Sequence, residues 1–447
     1  MQASLAGLVA LALIAAFAFD GLRGPMGLGA LLVLGLAWVA ALPRPPWTVV
    51  LACLPLVLLT PPVAPGVYLF DGVAITLGAL ALLATFQAGR SAWDVGWPGL
   101  LALGVVLVPL LAVPMMVVSL PSFLGSYRQP VLFAVTFLAL RRLVPPAQSH
   151  RLLWAFPLTG ALAALQVLAK LRLVGGRLGL YIGFRNFFTT LAWGRSNFVA
   201  ALLAFCIFGT FLLAILEKNR TIRLILAGAI FWMLSAFLPL ISRGATVALA
   251  VWALVLLVGW GRWKSIFAAG AIVLAVATFV LSPSGKGMVT RFTEPAEYMS
   301  VYTRTIGWEI AWERFLSHPL TGIGMNQGRY QADAMGDASA HNAMLDILME
   351  EGIFGGIVFA AIVIAALRLC LRVRPFGYTG PQRTLRAALV SLLVGIMVNA
   401  SVEPTITAIV IGTLFAWFLA WLSLQDSRPT TPRVEPDGLR GAELPGR

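Results

Sequence analysis

The stretch SNFVAALLAFCIFGTFLLAIL, residues 196–216, contains no charged side chain, while Arg195 stands immediately before it and Glu217, Lys218 and Arg220 follow. As an α-helix at 1.5 Å per residue it would be about 30 Å long, the thickness of a bilayer's hydrocarbon core. Water is absent there, so a backbone must satisfy its own hydrogen bonds, and only a helix or a closed barrel can cross. The run lacks the period-two alternation of a barrel strand. Residues 196–216 therefore read as a transmembrane helix.

Working outward, the same pattern recurs along all 447 residues. Hydrophobic residues make up 60% of the chain and charged residues 11%, with a mean hydropathy of +0.90. Soluble domains sit near 45–50% apolar and about 25% charged, so a soluble fold is excluded. Candidate spans fall at roughly 4–19, 25–42, 47–60, 71–87, 98–118, 130–140, 152–171, 196–216, 224–241, 245–260, 265–281, 352–371, 387–403 and 405–424. Those at 47–60 and 130–140 are short, as tilted, re-entrant or wrongly divided segments would be. The expected architecture is an all-α polytopic membrane protein with about 12–14 transmembrane helices and one large helical loop, 282–351.

Orientation follows from the basic residues. With 282–351 placed outside, the inner loops hold Arg141, Arg142 and Arg151; Lys218, Arg220 and Arg223; Arg262 and Lys264; and Arg368, Arg372, Arg374, Arg383 and Arg386. Both termini are then cytoplasmic. The net charge of +14 is spent on topology, and a nucleic-acid partner is not expected. Arg172, Arg177, Arg185, Arg195, Arg243, Arg291 and Arg304 fall on the outer side, against the bias, so another role is expected for them. The N-terminus lacks a basic region before its apolar run, and the first span is expected to remain as an anchor. Cys53, Cys206 and Cys370 all lie in apolar runs, so no disulfide frames the outer loop. Residues 425–447 read as a disordered cytoplasmic tail.

The outer loop holds nine of the eighteen acidic residues in about a sixth of the length. Trp308, Ala311, Trp312 and Phe315 recur at helical spacing, with Glu309 and Glu313 on a neighbouring face. Such an aromatic stripe suits the headgroup region, or packing on the protein's own core; both keep the loop near the bilayer. His318-Pro319-Leu320-Thr321-Gly322-Ile323-Gly324 breaks that helix with a structural turn, not a dinucleotide fingerprint. A second helix begins near His341 and runs to Gly352, with Asp346 and Glu350 expected on its wet side. His341 and Asn342 sit at its first turn, where free N–H groups and the helix dipole favour an anion. An imidazole, with an ordinary pKa near 6.5, is suited to take a proton from a hydroxyl at neutral pH.

Arginines complete a constellation at the same face. Arg243 stands in Ser242-Arg243-Gly244 between two apolar runs, Arg195 opens the 196–216 span, and Arg304 opens the aromatic helix. One such guanidinium can snorkel, but several in a charge-poor protein fit a phosphate clamp, because the planar fork binds phosphate oxygens in pairs. No metal-ligand cluster is spelled out, no cofactor motif is present, and no nucleophile elbow supports a serine hydrolase.

Ser242-Arg243-Gly244-Ala245, Arg304 ahead of Trp308, the His318–Gly324 turn, and His341-Asn342 followed by Glu351-Gly352-Ile353-Phe354-Gly355 together resemble the O-antigen ligase and polymerase superfamily over roughly 195–370. The resemblance implies an inverting, metal-independent glycosyltransferase of the GT-C type. Its donor would be a polysaccharide on undecaprenyl diphosphate, and its site would lie on the periplasmic side of a bacterial inner membrane. The acceptor would be a sugar hydroxyl of lipid A–core in a ligase, or another lipid-linked repeat unit in a polymerase. By the same resemblance His341 is the essential histidine, Arg243 the arginine of the Ser-Arg-Gly element and Arg304 the loop arginine. Arg195 rests on position alone. Arg195, Arg243, Arg304 and Asn342 would bind diphosphate or glycan, with His341 catalytic.

One dominant outer loop favours the ligase over the polymerase. A transporter or flippase would put ionisable residues at mid-membrane, where these spans are nearly free of charge. The expected organisation is 1–194, N-terminal helices; 195–370, the core with loop 282–351; 371–424, C-terminal helices; and 425–447, the tail.

Overall fold

The computed structural model describes residues 62–64, 67–68, 96–115, 120–173, 196–240, 242–259, 295–325, 340–373, 375, 378, 380–403, 406 and 409–426. The expected spans at 4–19, 25–42, 47–60, 71–87 and 265–281 lie outside these residues, as does the tail from residue 427 onward; its first two residues, Gln425 and Asp426, are helical.

The described part is helical. In chain order, α1 is Gly96–Leu107, α2 Leu120–Leu143, α3 Ala155–Leu173, α4 Ser196–Leu216, α5 Arg220–Phe237, α6 Arg243–Gly259, α7 Pro295–Ser317, α8 Ala343–Arg372, α9 Gln382–Ala400 and α10 Ile409–Asp426. The one departure among described residues is a short antiparallel pair, β1 (Pro62–Ala64) and β2 (Val67–Tyr68), in register Pro62 with Tyr68 and Ala64 with Val67. Five described helices are long and apolar enough to cross a membrane, namely 146–169, 196–216, 220–240, 343–372 and 382–400, and three shorter apolar ones accompany them. The chain is a polytopic helical membrane protein.

Several boundaries repay comparison with the sequence. The quoted stretch is α4 to the residue. The 98–118 span is shortened to α1 and continues as a 3-10 helix, Val108–Met115, because Pro109 and Pro114 cannot donate to an α-helical ladder. The short 130–140 span is a correction: α2 extends over 24 residues, straight through Pro130. A proline inside a membrane helix forfeits one hydrogen bond, which neighbouring groups can make good, and Gln129-Pro130 is not a stop there. The basic ends expected between helices bind chain segments together. Arg383 Nε donates to the carbonyl of Gly259 at 3.1 Å, tying the start of α9 to the end of α6.

The core lies where α2, α3, α4, α9 and α10 meet. Trp417 and Trp421 of α10 are fully buried, and the Trp417 indole donates to the Leu152 carbonyl at 2.7 Å. Phe208 of α4 stacks on Trp252 of α6 at 5.0 Å between centroids. Lipid tails are as apolar as these side chains, so such close packing and the indole bond hold the helices together instead of hydrophobic exclusion. The starts of α4, α6 and α8 and the end of α9 gather at one end of the bundle.

Candidate active site

Two sequence motifs of the loop prove to be halves of one backbone joint. Gly352 has φ +66° and ψ −161° inside α8, so the helix that starts at Ala343 breaks there and resumes at a new angle. A break leaves carbonyls and N–H groups without helical partners. The turn after α7 supplies them: Ile323 N–H bonds the Met349 carbonyl at 2.9 Å, Gly324 N–H the Glu350 carbonyl at 2.9 Å, and Ile353 N–H the Pro319 carbonyl at 2.8 Å. Gly322 (φ +69°) and Gly324 (φ +99°) adopt the left-handed conformations that this docking requires. The turn is structural, as expected, and it fixes α7 against the head of α8. Ala311, Ile323, Ala340 and Met349 form a small buried cluster between them.

The aromatic stripe of α7 is divided by this packing. Ala311 turns inward at 1% exposure, whereas Trp308 and Trp312 remain 40% and 47% exposed. Leu316 and Leu320 continue that exposed apolar face.

The head of α8 is built by its caps. Asn342 is the N-cap, its side-chain oxygen accepting from Met344 N–H at 3.0 Å and Leu345 N–H at 3.2 Å. Asp346 accepts from the Ala340 N–H at 2.9 Å and is buried. That corrects the expectation of a wet Asp346: its carboxylate closes the turn that carries His341. Held between these two caps, His341 has φ +50°, the one positive φ of a non-glycine among the described residues. Such a conformation costs energy and persists where its surroundings enforce it.

His341 Nδ1 lies 3.2 Å from Oε2 of Glu403. Glu403 follows α9 in a turn whose N–H groups at Val402 and Glu403 both bond the Asn399 carbonyl. Its other oxygen, Oε1, accepts from Asn197 Nδ2 at 2.8 Å and is ion-paired with Arg304 of α7. Arg243 opens α6 half-buried, and the adjoining Gly244 abuts this turn: a Cβ there would sit 2.8 Å from Val402 and 3.6 Å from Glu403. His341, Arg304 and the Arg243 helix start, expected to converge, do meet, and they meet around Glu403. Asn342 stands beside them as a cap. Arg195 lies outside the described residues; Asn197, two positions on, reaches the site.

Sequence reasoning missed Glu403, treating it as the last residue of a span. A signal was present: between Ala387 and Gln425 it is the single charged residue. An ionisable group in such a run marks function or a buried partner. Around Glu403, which has 4% side-chain exposure, the side-chain chemistry comprises the His341 imidazole, the Arg304 guanidinium and the Asn197 amide. Among the described residues no group of three His, Cys, Asp or Glu could hold a metal ion.

Residues 228–360 match the family model described as O-Antigen ligase. The matched segment contains Arg243, Arg304, His341, Asn342 and the whole joint between the turn and Gly352; Asn197 and Glu403 lie outside it. Compared with curated proteins, the chain has no significant match.

Proposed function

We propose that this chain, whose residues 228–360 match the family model described as O-Antigen ligase, is an inverting, metal-independent glycosyltransferase. It moves a polysaccharide from undecaprenyl diphosphate to a sugar hydroxyl of lipid A–core, at the periplasmic face of a bacterial inner membrane. The observation that carries this reading is the meeting of His341 and Arg304 on one carboxylate beside the helix that Arg243 opens. It supports the reading by bringing an imidazole and a guanidinium to one carboxylate, next to the start of the helix that Arg243 opens.

In the reaction, the acceptor hydroxyl attacks the anomeric carbon of the donor glycan, and the bond from that carbon to the diphosphate oxygen breaks. His341 takes the hydroxyl proton, and the diphosphate leaves with the bonding electrons. Attack comes from the face opposite the leaving group, so the anomeric configuration inverts. Arg243 and Arg304, with Arg195, hold the diphosphate and offset the charge it gains. Guanidinium groups fixed beforehand stabilise a departing anion without needing to reorganise during the reaction. Arg304 can serve both Glu403 and a phosphate, because a guanidinium carries five donors in a planar fork. Asn342 keeps the imidazole's backbone in place through its cap. The lipid tail of the donor lies among the helices, and the glycan projects into water.

A strain lacking the gene separates ligation from polymerisation on a lipopolysaccharide gel. The proposal predicts loss of the whole ladder, with polymer accumulating on the lipid carrier. A single repeat unit left on the core would assign polymerisation instead.

A further inference from the structure

The contacts of Glu403 define more than proximity. Two of its partners, the Arg304 guanidinium and the Asn197 side-chain amide nitrogen, can only donate. Both are aimed at Oε1, and the Arg304 charge favours the ionised carboxylate. Its second oxygen, Oε2, faces Nδ1 of His341 at 3.2 Å. An ionised carboxylate only accepts, so Nδ1 must carry the hydrogen. In a neutral imidazole the other ring nitrogen, Nε2, then holds the lone pair. Glu403 is at 4% side-chain exposure and the His341 ring at 32%. The ring is therefore anchored through Nδ1 on the protein side, while part of the side chain stays exposed.

We propose that Glu403 is the positioning residue of the transfer reaction: it fixes His341 in the tautomer whose Nε2 can accept the acceptor's proton, and it aims Arg304 at the same substrate. This inference rests on the reading of His341 as the base. It also accounts for the left-handed backbone at His341, because that conformation turns the ring toward the end of α9. Glu403 does not itself touch substrate. As His341 becomes an imidazolium during attack, the carboxylate on Nδ1 stabilises the new charge.

The substitution Glu403→Gln tests the tautomer directly. Arg304 and Asn197 donate, so the amide must turn its oxygen toward them and its NH2 toward His341 Nδ1. That forces Nδ1 to accept and moves the hydrogen to Nε2, the wrong nitrogen. In the serine protease triad the corresponding carboxylate-to-amide change costs about 10⁴-fold in kcat. The chain has three histidines, His150, His318 and His341, so ¹⁵N-histidine NMR of the full-length protein in lipid is tractable. His341 is assigned as the signal lost in His341→Gly.

With the ring in its neutral form, the wild type is expected to show His341 protonated on Nδ1, and Glu403→Gln to show it protonated on Nε2. Transfer in Glu403→Gln falls through kcat, with the donor KM less changed, and Glu403→Asp, which keeps the charge, recovers part of it. Should Gln impair folding, the Asp variant and the wild-type spectrum still decide. A wild-type His341 protonated on Nε2, or an unchanged tautomer in Glu403→Gln, would overturn the proposal. If the tautomer switches as expected but His341→Gly retains transfer, the Glu403–His341 relationship stands and the base assignment above is what fails.

Discussion

A Cβ placed on Gly352 would lie 2.7 Å from the backbone nitrogen of Gly322 and closer still to the Leu320 carbonyl. The reciprocal clash holds at Gly322, where a Cβ would meet the Glu350 carbonyl oxygen at 2.5 Å. The His-Pro-Leu-Thr-Gly-Ile-Gly turn and the Glu-Gly-Ile-Phe-Gly element are thus one interlocked piece of backbone. Its effect is to hold α7, with Arg304, over the head of α8, with His341.

Gly352→Ala should loosen this joint. Steric overlap adds to the strain of a left-handed alanine, which by itself costs about 1–3 kcal/mol. Thermal unfolding in detergent should show a lower midpoint, and limited proteolysis should cut within the loop sooner. Gly228→Ala is the control: it is exposed on α5 with nothing within 4 Å of the added methyl, and it should leave proteolysis unchanged and the midpoint unchanged or slightly higher. Equal behaviour of the two variants would remove the joint from the account.

His341→Gly should separate stability from chemistry. Glycine adopts φ +50° at little cost, so the fold is preserved or gains slightly in thermal stability, while transfer is lost by about 10²–10⁴-fold, the usual contribution of a general base. His341→Ala should lose the same activity and also some stability. Activity retained in the glycine variant would exclude the imidazole from the reaction.

Asn342→Ala removes the N-cap of α8 and should cost about 1 kcal/mol, read from thermal unfolding. Asn342→Ser, which also caps, should restore both stability and transfer. Restored stability with transfer still lost would give the Asn342 amide a direct role on the glycan.

Arg243→Lys keeps the charge but loses the planar fork. The donor KM should rise, and kcat should fall with it, because a bidentate hold on phosphate strengthens as charge builds on the leaving group. Unchanged donor kinetics would take Arg243 out of the clamp. Arg304→Lys should be more damaging, since it also disturbs the ion pair with Glu403.

What could be read from the sequence follows what the solvent and local geometry enforce. Lipid demands long apolar helices, so α4 was legible to the residue. The helix start near His341 was legible, but Asn342, read as part of its first turn beside free N–H groups, is the N-cap that occupies two of them. Gly352 was legible as the meeting point of a loop helix and a membrane span, but not as a kink within one continuous helix. Pro130 misled in the opposite direction, since a proline that breaks helices in water need not do so in a packed bundle. Asp346 was assigned to water on periodicity alone, and a backbone N–H six residues earlier in the turn recruited it inward.

Glu403 was illegible for a different reason. Its partners lie 62, 99 and 206 residues away in sequence, and no periodicity reports a contact of that range. The candidate arginines and histidine could be chosen by type and position; the group that assembles them emerged only when the helices were brought together.

The most direct measurement uses the purified full-length protein in liposomes with an undecaprenyl-diphosphate-linked glycan and lipid A–core, in the presence of EDTA. The account predicts a new glycosidic bond to the core, of anomeric configuration opposite to the donor's, with undecaprenyl diphosphate released and product formation reduced by about 10²–10⁴-fold in His341→Gly. Glycan crossing the bilayer with no new bond, or transfer that EDTA abolishes and a divalent cation restores, would contradict it.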